Sequence, residues 1–327
     1  MAEPRLALAG CGTVGAVHAE RLVAEGAQIV AICDPDAEAL SRMARALPQR
    51  PLLFRSEQDL LASGEVDAIV LCTPHARHAD QIAAALEAGV HVLCEKPFVT
   101  HYETGVGLVK QAREKNLALF VSYTRRARGH ARFLQAAAGR IGPVQFVSIL
   151  RGQPWLQTHG RTWRMQETEG GGFLRDAGAS MLDLCLHLIP LPVSEVSAEL
   201  YRAGTAEVDV CASVRLRFRG DARVELTLLG DAVETLERIQ IFGERGTAGW
   251  CQREGVPAEL YLKELGGALE SPDPATYRIP TPDIAFLTAL RSGRRFDAET
   301  AADLYDAATA LPTIALVERL YREAQWR

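Results

Sequence analysis

The sequence predicts an α/β domain built on a doubly wound parallel sheet, followed by an α+β domain with an open, mainly antiparallel sheet. Three observations support this fold class. Short apolar runs alternate with helical patterns up to about residue 122, as a parallel sheet with both faces covered requires. A glycine-rich turn joins the first apolar run to the first helical pattern. Beyond residue 122, alternating polar and apolar positions indicate antiparallel strands with one covered face.

Length and composition are those of a globular protein with room for two domains. Of the 327 residues, 48% are hydrophobic and 24% are charged. We expect a first domain over residues 1–122 and a second over 123–327, with the final helices as candidates to pack back on the first.

Charge and apolar pattern exclude several classes of partner. A net charge of -5 favours binding to neither nucleic acid nor an anionic membrane, and no apolar run approaches the roughly 18 residues of a membrane helix. We therefore expect a cytoplasmic protein with no nucleic acid or membrane partner. Seven cysteines without a C-x-x-C pair predict neither a disulfide framework nor a metal site.

In the first domain, six apolar runs are expected to be strands. They cover residues 5–9, 28–33, 52–54, 68–72, 90–94 and 118–121. An alanine-rich helix follows the first run, and further helical patterns separate the others. These patterns cover residues 35–47, 57–63, 76–88 and 100–115.

In the second domain the periodicity changes. The expected order is a helix at 129–138, a strand at 144–150, a polar loop at 151–169 and a helix after Gly170-Gly171-Gly172. Several strands follow between residues 194 and 262, including 210–218 and 222–229. The last helices are expected at 283–292 and 298–324, with Pro312 ending or kinking the final one.

The turn Gly10-Cys11-Gly12-Thr13-Val14-Gly15 predicts a dinucleotide-binding Rossmann domain. In such a turn the first glycine permits the tight bend, the second lets the backbone approach a pyrophosphate, and the third lets helix pack on strand. Asp34 ends the second strand, where a carboxylate would accept hydrogen bonds from a ribose. It favours NAD over NADP because it would repel a 2′-phosphate, although Arg42 or Arg45 leaves NADP open.

The segment Glu95-Lys96-Pro97 follows a buried parallel strand and so lies at the sheet edge where such folds bind ligands. Only four of the 36 basic residues are lysines. A lysine at this position favours a role that arginine cannot fill, such as exchanging a proton with a substrate hydroxyl. The alternative is a solvated surface lysine. The peptide before Pro97 is a candidate for the cis form, although trans is more frequent.

A second polar constellation follows the three glycines at 170–172, which would let a ligand approach the backbone. Asp176, Ser180 and Asp183 share one face of the expected helix. The alternative interpretation is that this face is the solvent side of an amphipathic helix. Among the nearby arginines, Arg164 beside Trp163 is the best candidate to grip a carboxylate or phosphate, so an anionic or polyhydroxylated sugar derivative is the expected substrate.

Taken together, these motifs resemble the Gfo/Idh/MocA oxidoreductases. The resemblance covers nearly the whole chain and rests on the glycine turn, Cys72-Thr73-Pro74-His75 with His78, the segment 88–97, Tyr123-Thr124-Arg125-Arg126, and Trp163-Arg164 with the triple glycine. It implies a Rossmann domain, a C-terminal domain whose open sheet often makes dimer or tetramer contacts, and NAD(P)-linked oxidation or reduction of sugars, polyols and related compounds.

The resemblance also implies site residues. Lys96 resembles the catalytic lysine, and Asp176 the substrate-binding or proton-relay aspartate. The expected cofactor contacts are Gly10, Gly12, Thr13, Val14, Gly15, Asp34, Thr73, Pro74, His75, His78, Glu95 and Lys96. The expected substrate contacts are Arg126, Trp163, Arg164, Asp176 and Ser180. We expect His78 to fix the loop before its helix and His75 to line the cofactor groove.

One departure affects the chemistry: the family usually carries histidine four residues after the aspartate, whereas this chain has Ser180. Serine passes a proton only when another group activates it. Candidate substitutes are Lys96 alone, Tyr123, His159 or His187. His187 would lie about 10 Å along the helix and is expected to be structural. We favour Lys96 as general acid/base, with Ser180 holding the substrate hydroxyl.

Two other functions stay open beside a dehydrogenase or reductase. One is a dinucleotide-binding sensor or regulator without turnover, which the loss of the usual histidine at position 180 makes more credible. The other is an NAD-dependent glycosidase that oxidises and re-reduces its sugar, so that the cofactor shows no net change.

Overall fold

The computed structural model describes residues 3–297 and 303–327. The chain forms two compact units: unit 1 comprises Met1–Thr124 and Pro280–Leu311, and unit 2 comprises Arg125–Ile279 and Pro312–Arg327. Unit 1 therefore combines the N-terminal part of the chain with a later segment. The first residues of the helix expected at 298–324, up to residue 302, lie outside the described part of the chain.

Unit 1 contains a six-stranded parallel sheet in the order β3-β2-β1-β4-β5-β6, which confirms the predicted doubly wound fold. The strands are β1 Arg5–Ala9, β2 Gln28–Cys33, β3 Leu52–Phe54, β4 Ala68–Leu71, β5 His91–Glu95 and β6 Leu119–Ser122. The strand order reverses between β1 and β4. Ligands of open α/β sheets bind beside the carboxyl ends of the strands at such a reversal.

Five helices connect these strands: α1 Thr13–Ala24, α2 Ala37–Ala46, α3 Glu57–Ala62, α4 His78–Glu87 and α5 Tyr102–Glu114. Short polar side chains begin two of them, because Asp36 accepts the Glu38 amide and Ser56 accepts the Asp59 amide. At the start of α1, by contrast, Gly12 is the capping residue and no described side chain caps the helix. The first amides of α1 are therefore not covered by a cap.

Unit 2 contains a nine-stranded mixed sheet in the order β14-β13-β12-β11-β7-β10-β9-β8-β15. The strands are β7 Val144–Gly152, β8 Val193–Tyr201, β9 Cys211–Phe218, β10 Arg223–Leu229, β11 Leu236–Gly243, β12 Gly246–Arg253, β13 Glu259–Glu264, β14 Leu269–Glu270 and β15 Gln325–Trp326. Most neighbours are antiparallel, as predicted, whereas β7 pairs with β10 in parallel. On β9, Val214 and Leu216 are buried while Arg215 and Arg217 are exposed, so one face carries the core.

The helices of unit 2 are α6 Gly129–Ile141, α7 Trp155–His159 and α8 Ala179–Leu188. The segment expected as a polar loop thus contains α7. A π-helical turn at Leu174–Gly178 precedes α8, where a continuous α-helix was expected. At its start, Asp209 accepts the Leu174 amide at 2.6 Å, and the Phe173 amide donates to the Asp209 carbonyl at 2.9 Å. Such π-turns interrupt the α-helical spacing and often lie at functional sites.

Two further helices lie between β14 and β15 in the chain. In unit 1, α9 Pro282–Arg291 packs on α1, β5 and β6, at the position predicted for it. The last helix, α10 Leu311–Glu323, begins at Leu311, so the expectation that Pro312 ends or kinks a longer helix is wrong. Proline is tolerated in the first turn of a helix because the amide there has no partner within the helix. Among the described residues, no helix has both the length and the apolar character needed to span a membrane.

Candidate active site

The glycine turn of unit 1 has the shape that a dinucleotide needs. A Cβ on Gly10, whose φ is +94°, would lie 2.5 Å from the Cys72 carbonyl oxygen, and one on Gly15 would lie 2.0 Å from the Gly10 carbonyl oxygen. A Cβ on Gly12 would have no described atom within 4 Å. Packing therefore requires the outer two glycines, while Gly12 borders open space at the uncapped start of α1, where Thr13 and Val14 begin the helix. This arrangement fits a pyrophosphate.

Asp34, directly after β2, lies beside the same turn. Its Oδ2 accepts the Cys11 amide at 2.8 Å, and its Oδ1 accepts the Asp36 amide at 2.8 Å. Each carboxylate oxygen has a second lone pair for a ribose hydroxyl. Arg42, one of the cations that could favour NADP, lies 3.7 Å from the Glu38 carboxylate. The residues present therefore fit NAD.

His78 links the loops that follow β4 and β5. Its Nε2 lies 2.9 Å from the Thr73 carbonyl oxygen, and its Nδ1 lies 2.9 Å from that of Pro97. Burial lowers the pKa of His78, and a neutral imidazole donates only one of these bonds. The His75 ring is buried, and its centroid lies 5.9 Å from that of His78. His78 thus joins the Thr73-Pro74 turn to the Lys96-Pro97 peptide, which is cis.

Glu95 connects the Lys96 loop to a buried charged cluster. Its Oε2 accepts the Lys96 amide at 3.1 Å, and its Oε1 lies 3.0 Å from Nε2 of His18 in α1. His18 Nδ1 in turn bonds Asp283 of α9, which is fully buried. His18 and Asp283 were not found from the sequence, because a pair 265 residues apart leaves no local pattern.

The pKa values of this cluster favour its charged form. Burial would lower the pKa of His18, but Cys72, Asp283 and Glu95 together raise it well above 6.5. Burial would raise the pKa of Glu95, but the hydrogen bond and charge of His18 lower it to about 2. At neutral pH a positive His18 imidazolium therefore lies beside the ionised Glu95 carboxylate.

Two of the expected catalytic residues lie at the ends of neighbouring strands of unit 1. Lys96 follows β5 and is partly buried. Tyr123 follows β6 but is 0% exposed, so direct proton exchange between its hydroxyl and a substrate is not supported. We therefore withdraw Tyr123 as a proton carrier and keep Lys96.

In unit 2, Asp176 lies in the π-helical turn and is held by two donors. Its Oδ2 accepts Trp155 Nε1 at 2.8 Å and Arg164 Nε at 3.0 Å. The Arg164 guanidinium also stacks on Trp163, 4.5 Å from the ring centroid. Arg164, expected to grip a substrate anion, is therefore paired with Asp176. Trp155 was not singled out from the sequence. Ser180 follows in α8 and is partly buried.

The glycine run before Asp176 has a different role from the expected one. A Cβ on Gly171 would lie 2.1 Å from the Arg164 carbonyl oxygen. One on Gly172, whose φ is +109°, would lie 2.4 Å from Asp209 Oδ1. These two glycines admit the chain's own atoms, so the expectation of a ligand approaching the backbone there is not supported.

Arg126, expected to contact substrate, is buried in a two-pronged ion pair with Asp183. Nε lies 2.9 Å from Oδ2, and Nη2 lies 2.6 Å from Oδ1. Thr313 donates to the same carboxylate at 3.0 Å. Because Arg126 is 3% exposed, we reassign it from the substrate side to the interior of unit 2; Asp183, expected on the polar face of the helix, is 1% exposed and lies in the interior as well. His187, read as structural, bonds the Asp183 carbonyl oxygen at 2.7 Å.

Comparison with known proteins gives consistent matches over both units. Residues 5–123 match the Gfo/Idh/MocA model described as an oxidoreductase family with an NAD-binding Rossmann fold. Residues 135–249 match the model of the GFO/IDH/MocA C-terminal domain.

Two relatives cover most of the chain. A dTDP-3,4-didehydro-2,6-dideoxy-alpha-D-glucose 3-reductase of Saccharopolyspora spinosa is 28% identical, over 83% of this chain and 82% of its own. An inositol 2-dehydrogenase of Rhizobium meliloti is 26% identical, over 78% of each.

Solved structures share the fold over nearly the whole chain. The WlbA dehydrogenase of Bordetella pertussis, in complex with NADH and UDP-GlcNAcA, is 25% identical with a TM-score of 0.81, covering 98% of this chain and 96% of its own. An oxidoreductase domain protein of Kribbella flavida shares the fold, with a TM-score of 0.83 at 22% identity over 99% of this chain and 97% of its own. The chain therefore belongs to the Gfo/Idh/MocA family of oxidoreductases, with an NAD-binding Rossmann domain followed by the family's C-terminal domain.

Proposed function

We propose that the protein is an NAD-dependent dehydrogenase or reductase acting on a secondary alcohol or ketone of a sugar or polyol. The observation that carries the proposal is the open space at Gly12 beside the Asp34 carboxylate, which fits the pyrophosphate and ribose of NAD. When bound, the nicotinamide accepts or supplies the hydride. The names of the two relatives, a deoxyhexose reductase and an inositol dehydrogenase, support a sugar or polyol substrate.

The protein's own residues then handle orientation and the proton. We assign Lys96 as the general acid/base, because an ammonium group can release a proton whereas a guanidinium does not. Glu95 fixes the Lys96 backbone through the 3.1 Å bond to its amide. Asp176 and Ser180 hydrogen-bond substrate hydroxyl groups, with Asp176 oriented by Trp155 and Arg164.

Three finer points belong to the proposal. Asp34 favours NAD over NADP by charge. The face of the unit 2 sheet that carries Arg215, Arg217 and Glu225 is the surface through which we propose that a homodimer or homotetramer forms. All seven cysteines carry free thiols, which favours a cytoplasmic location. Light scattering coupled to gel filtration tests the oligomer directly.

A second candidate function is a dinucleotide-binding sensor, which Ser180 favours because serine replaces the usual proton-accepting histidine. One experiment separates the possibilities. NADH binding is measured by fluorescence, and polyols, aldoses and uronates are then screened with NAD and NADP by nicotinamide absorbance. A dehydrogenase changes the absorbance. A sensor binds NADH without turnover, and an NAD-dependent glycosidase releases a chromogenic aglycone without net cofactor change.

A further inference from the structure

Unit 2 contains a cavity of about 620 Å³ that the site described above does not use. Its lining includes Arg151 at the end of β7, Glu237 of β11 and Trp250 of β12, with the exposed Arg128 and Arg253 also in the lining. We call it the Arg151 cavity.

A buried cluster carries excess positive charge: it consists of the lining residues Arg151 and Glu237 together with Arg125, which is not itself in the lining. Arg125 and Arg151 both bond the single carboxylate of Glu237, with Arg125 Nη2 2.8 Å from Oε2. Burial would raise the pKa of Glu237, but the two arginines lower it to about 2, so it is ionised. Arg125 is 7% exposed and Glu237 3%, so water compensates the surplus guanidinium poorly.

The residues around the cluster do not neutralise its excess positive charge. His130 accepts from Arg125 Nη1 at 3.0 Å, and burial together with Arg125 lowers its pKa to about 3, so it adds no charge. At the rim, Arg253 is paired with Glu234 at 2.6 Å. Glu254, the other carboxylate in the lining, accepts the Thr235 amide at 3.2 Å, and the positive charge of Arg128 offsets it. Asp176 also acts electrostatically on Arg151, but its carboxylate already pairs with Arg164.

Two donors in the cluster also lack acceptors. Over residues 3–297 and 303–327, neither Nε of Arg125 nor Nε of Arg151 has a hydrogen-bond partner, although both atoms are buried. Because both atoms are closed to solvent, they are not contact points for a ligand, but they leave the positive charge of the cluster less compensated. His130 stacks on Trp250 at 3.8 Å and 6° between planes, which fixes one wall.

We propose that the Arg151 cavity binds an oxyanion group, phosphate or carboxylate, carried by the substrate. The inference rests on the proposed function for the identity of the ligand as substrate, and it moves anion recognition from Arg164 to Arg151, which lines the cavity.

The test uses the protein saturated with NADH, so that the glycine turn is filled, and measures binding of two probes by calorimetry at low salt. Pyrophosphate represents a phosphate group, and glucuronate represents a carboxylate. The variants are Arg151→Met, Glu237→Gln, and the control Arg219→Met in the exposed turn after β9.

We expect at least one probe to bind the wild type, and the probe that binds identifies the oxyanion. Arg151→Met should weaken its binding on the order of tenfold or more. Glu237→Gln should strengthen binding of this probe, since the competing carboxylate is lost, and Arg219→Met should leave it unchanged. The opposite signs of the two cavity variants separate anion binding from general loss of structure.

Absence of binding of both probes to the wild type, or equal binding to the wild type and Arg151→Met, would overturn the inference. Failure to bind NADH would count against the proposed function instead. The two failures are therefore distinguishable.

Discussion

His18 Nε2 lies 3.0 Å from Glu95 Oε1, and the other oxygen of Glu95 accepts the Lys96 amide at 3.1 Å. The backbone of the proposed proton carrier is thus attached to a buried ion pair that continues to Asp283 of α9. Because His18 is 1% exposed and Asp283 0%, removal of the imidazolium would leave buried carboxylate charge without its partner.

His18→Gln should lower the free energy of unfolding by about 3 kcal/mol, the scale for breaking a buried ion pair. The folded-state pKa of His18 is raised above 6.5, so its stabilising contribution is complete below that pH and is lost as pH rises through the folded value. The difference between wild type and variant should therefore be largest below pH 6.5 and shrink at alkaline pH. Urea denaturation across this range measures it. A difference that is absent, or that grows with pH, contradicts the assignment.

Alanine at Gly12 should affect cofactor binding, whereas alanine at Gly15 should affect stability. The Gly12 Cβ would enter open space, so Gly12→Ala should leave the melting temperature unchanged. It should weaken NADH binding by about tenfold or more, because the added methyl group would cost a hydrogen bond to the phosphate. The Gly15 Cβ would meet the Gly10 carbonyl at 2.0 Å, so Gly15→Ala should lower the melting temperature. Calorimetry and NADH fluorescence provide the two readouts. Unchanged NADH affinity in Gly12→Ala would contradict the cofactor site.

Asp34→Asn should narrow the preference for NAD over NADP. Asparagine keeps one of the acceptors for the Cys11 and Asp36 amides but removes the negative charge that repels a 2′-phosphate. The ratio of kcat/KM for the two cofactors should fall by about tenfold, mainly through better use of NADP. If the ratio stays constant, Asp34 does not set the preference.

Ser180→Ala should lower kcat/KM by about tenfold, the cost of one lost hydrogen bond, mainly through KM. The pH profile should stay the same, because Lys96 and not Ser180 carries the proton. A shifted pH profile in Ser180→Ala would place the serine in the proton path instead.

Local sequence was sufficient where function depends on local backbone geometry. The glycine turn, Asp34 and the Glu95-Lys96-Pro97 edge all follow from a strand, a turn and a helix that are adjacent in sequence. The parallel sheet of unit 1 was predicted as well, since alternating strands and helices leave few arrangements, whereas its strand order comes from the structure.

Pairings between distant charged residues could not be read from periodicity. Arg126 was expected on the substrate side and Asp183 on a polar helix face, yet each is the other's buried partner across 57 positions. Glu237 gave no signal because it occupies an inward position of an otherwise alternating strand, where its two arginine partners come from elsewhere in the chain. The glycines at 171 and 172 were read as ligand contacts because sequence shows only that space is needed, not which atoms fill it.

The central claim is that Lys96 carries the proton during NAD-dependent hydride transfer, and single-turnover nicotinamide absorbance with Lys96→Met tests it most directly. The control is Lys110→Met, because the Lys110 side chain also belongs to unit 1 and is 75% exposed. The account predicts that Lys96→Met, measured with saturating cofactor, loses a factor of about 100 or more in rate, while Lys110→Met is unchanged. Full turnover by Lys96→Met would contradict it.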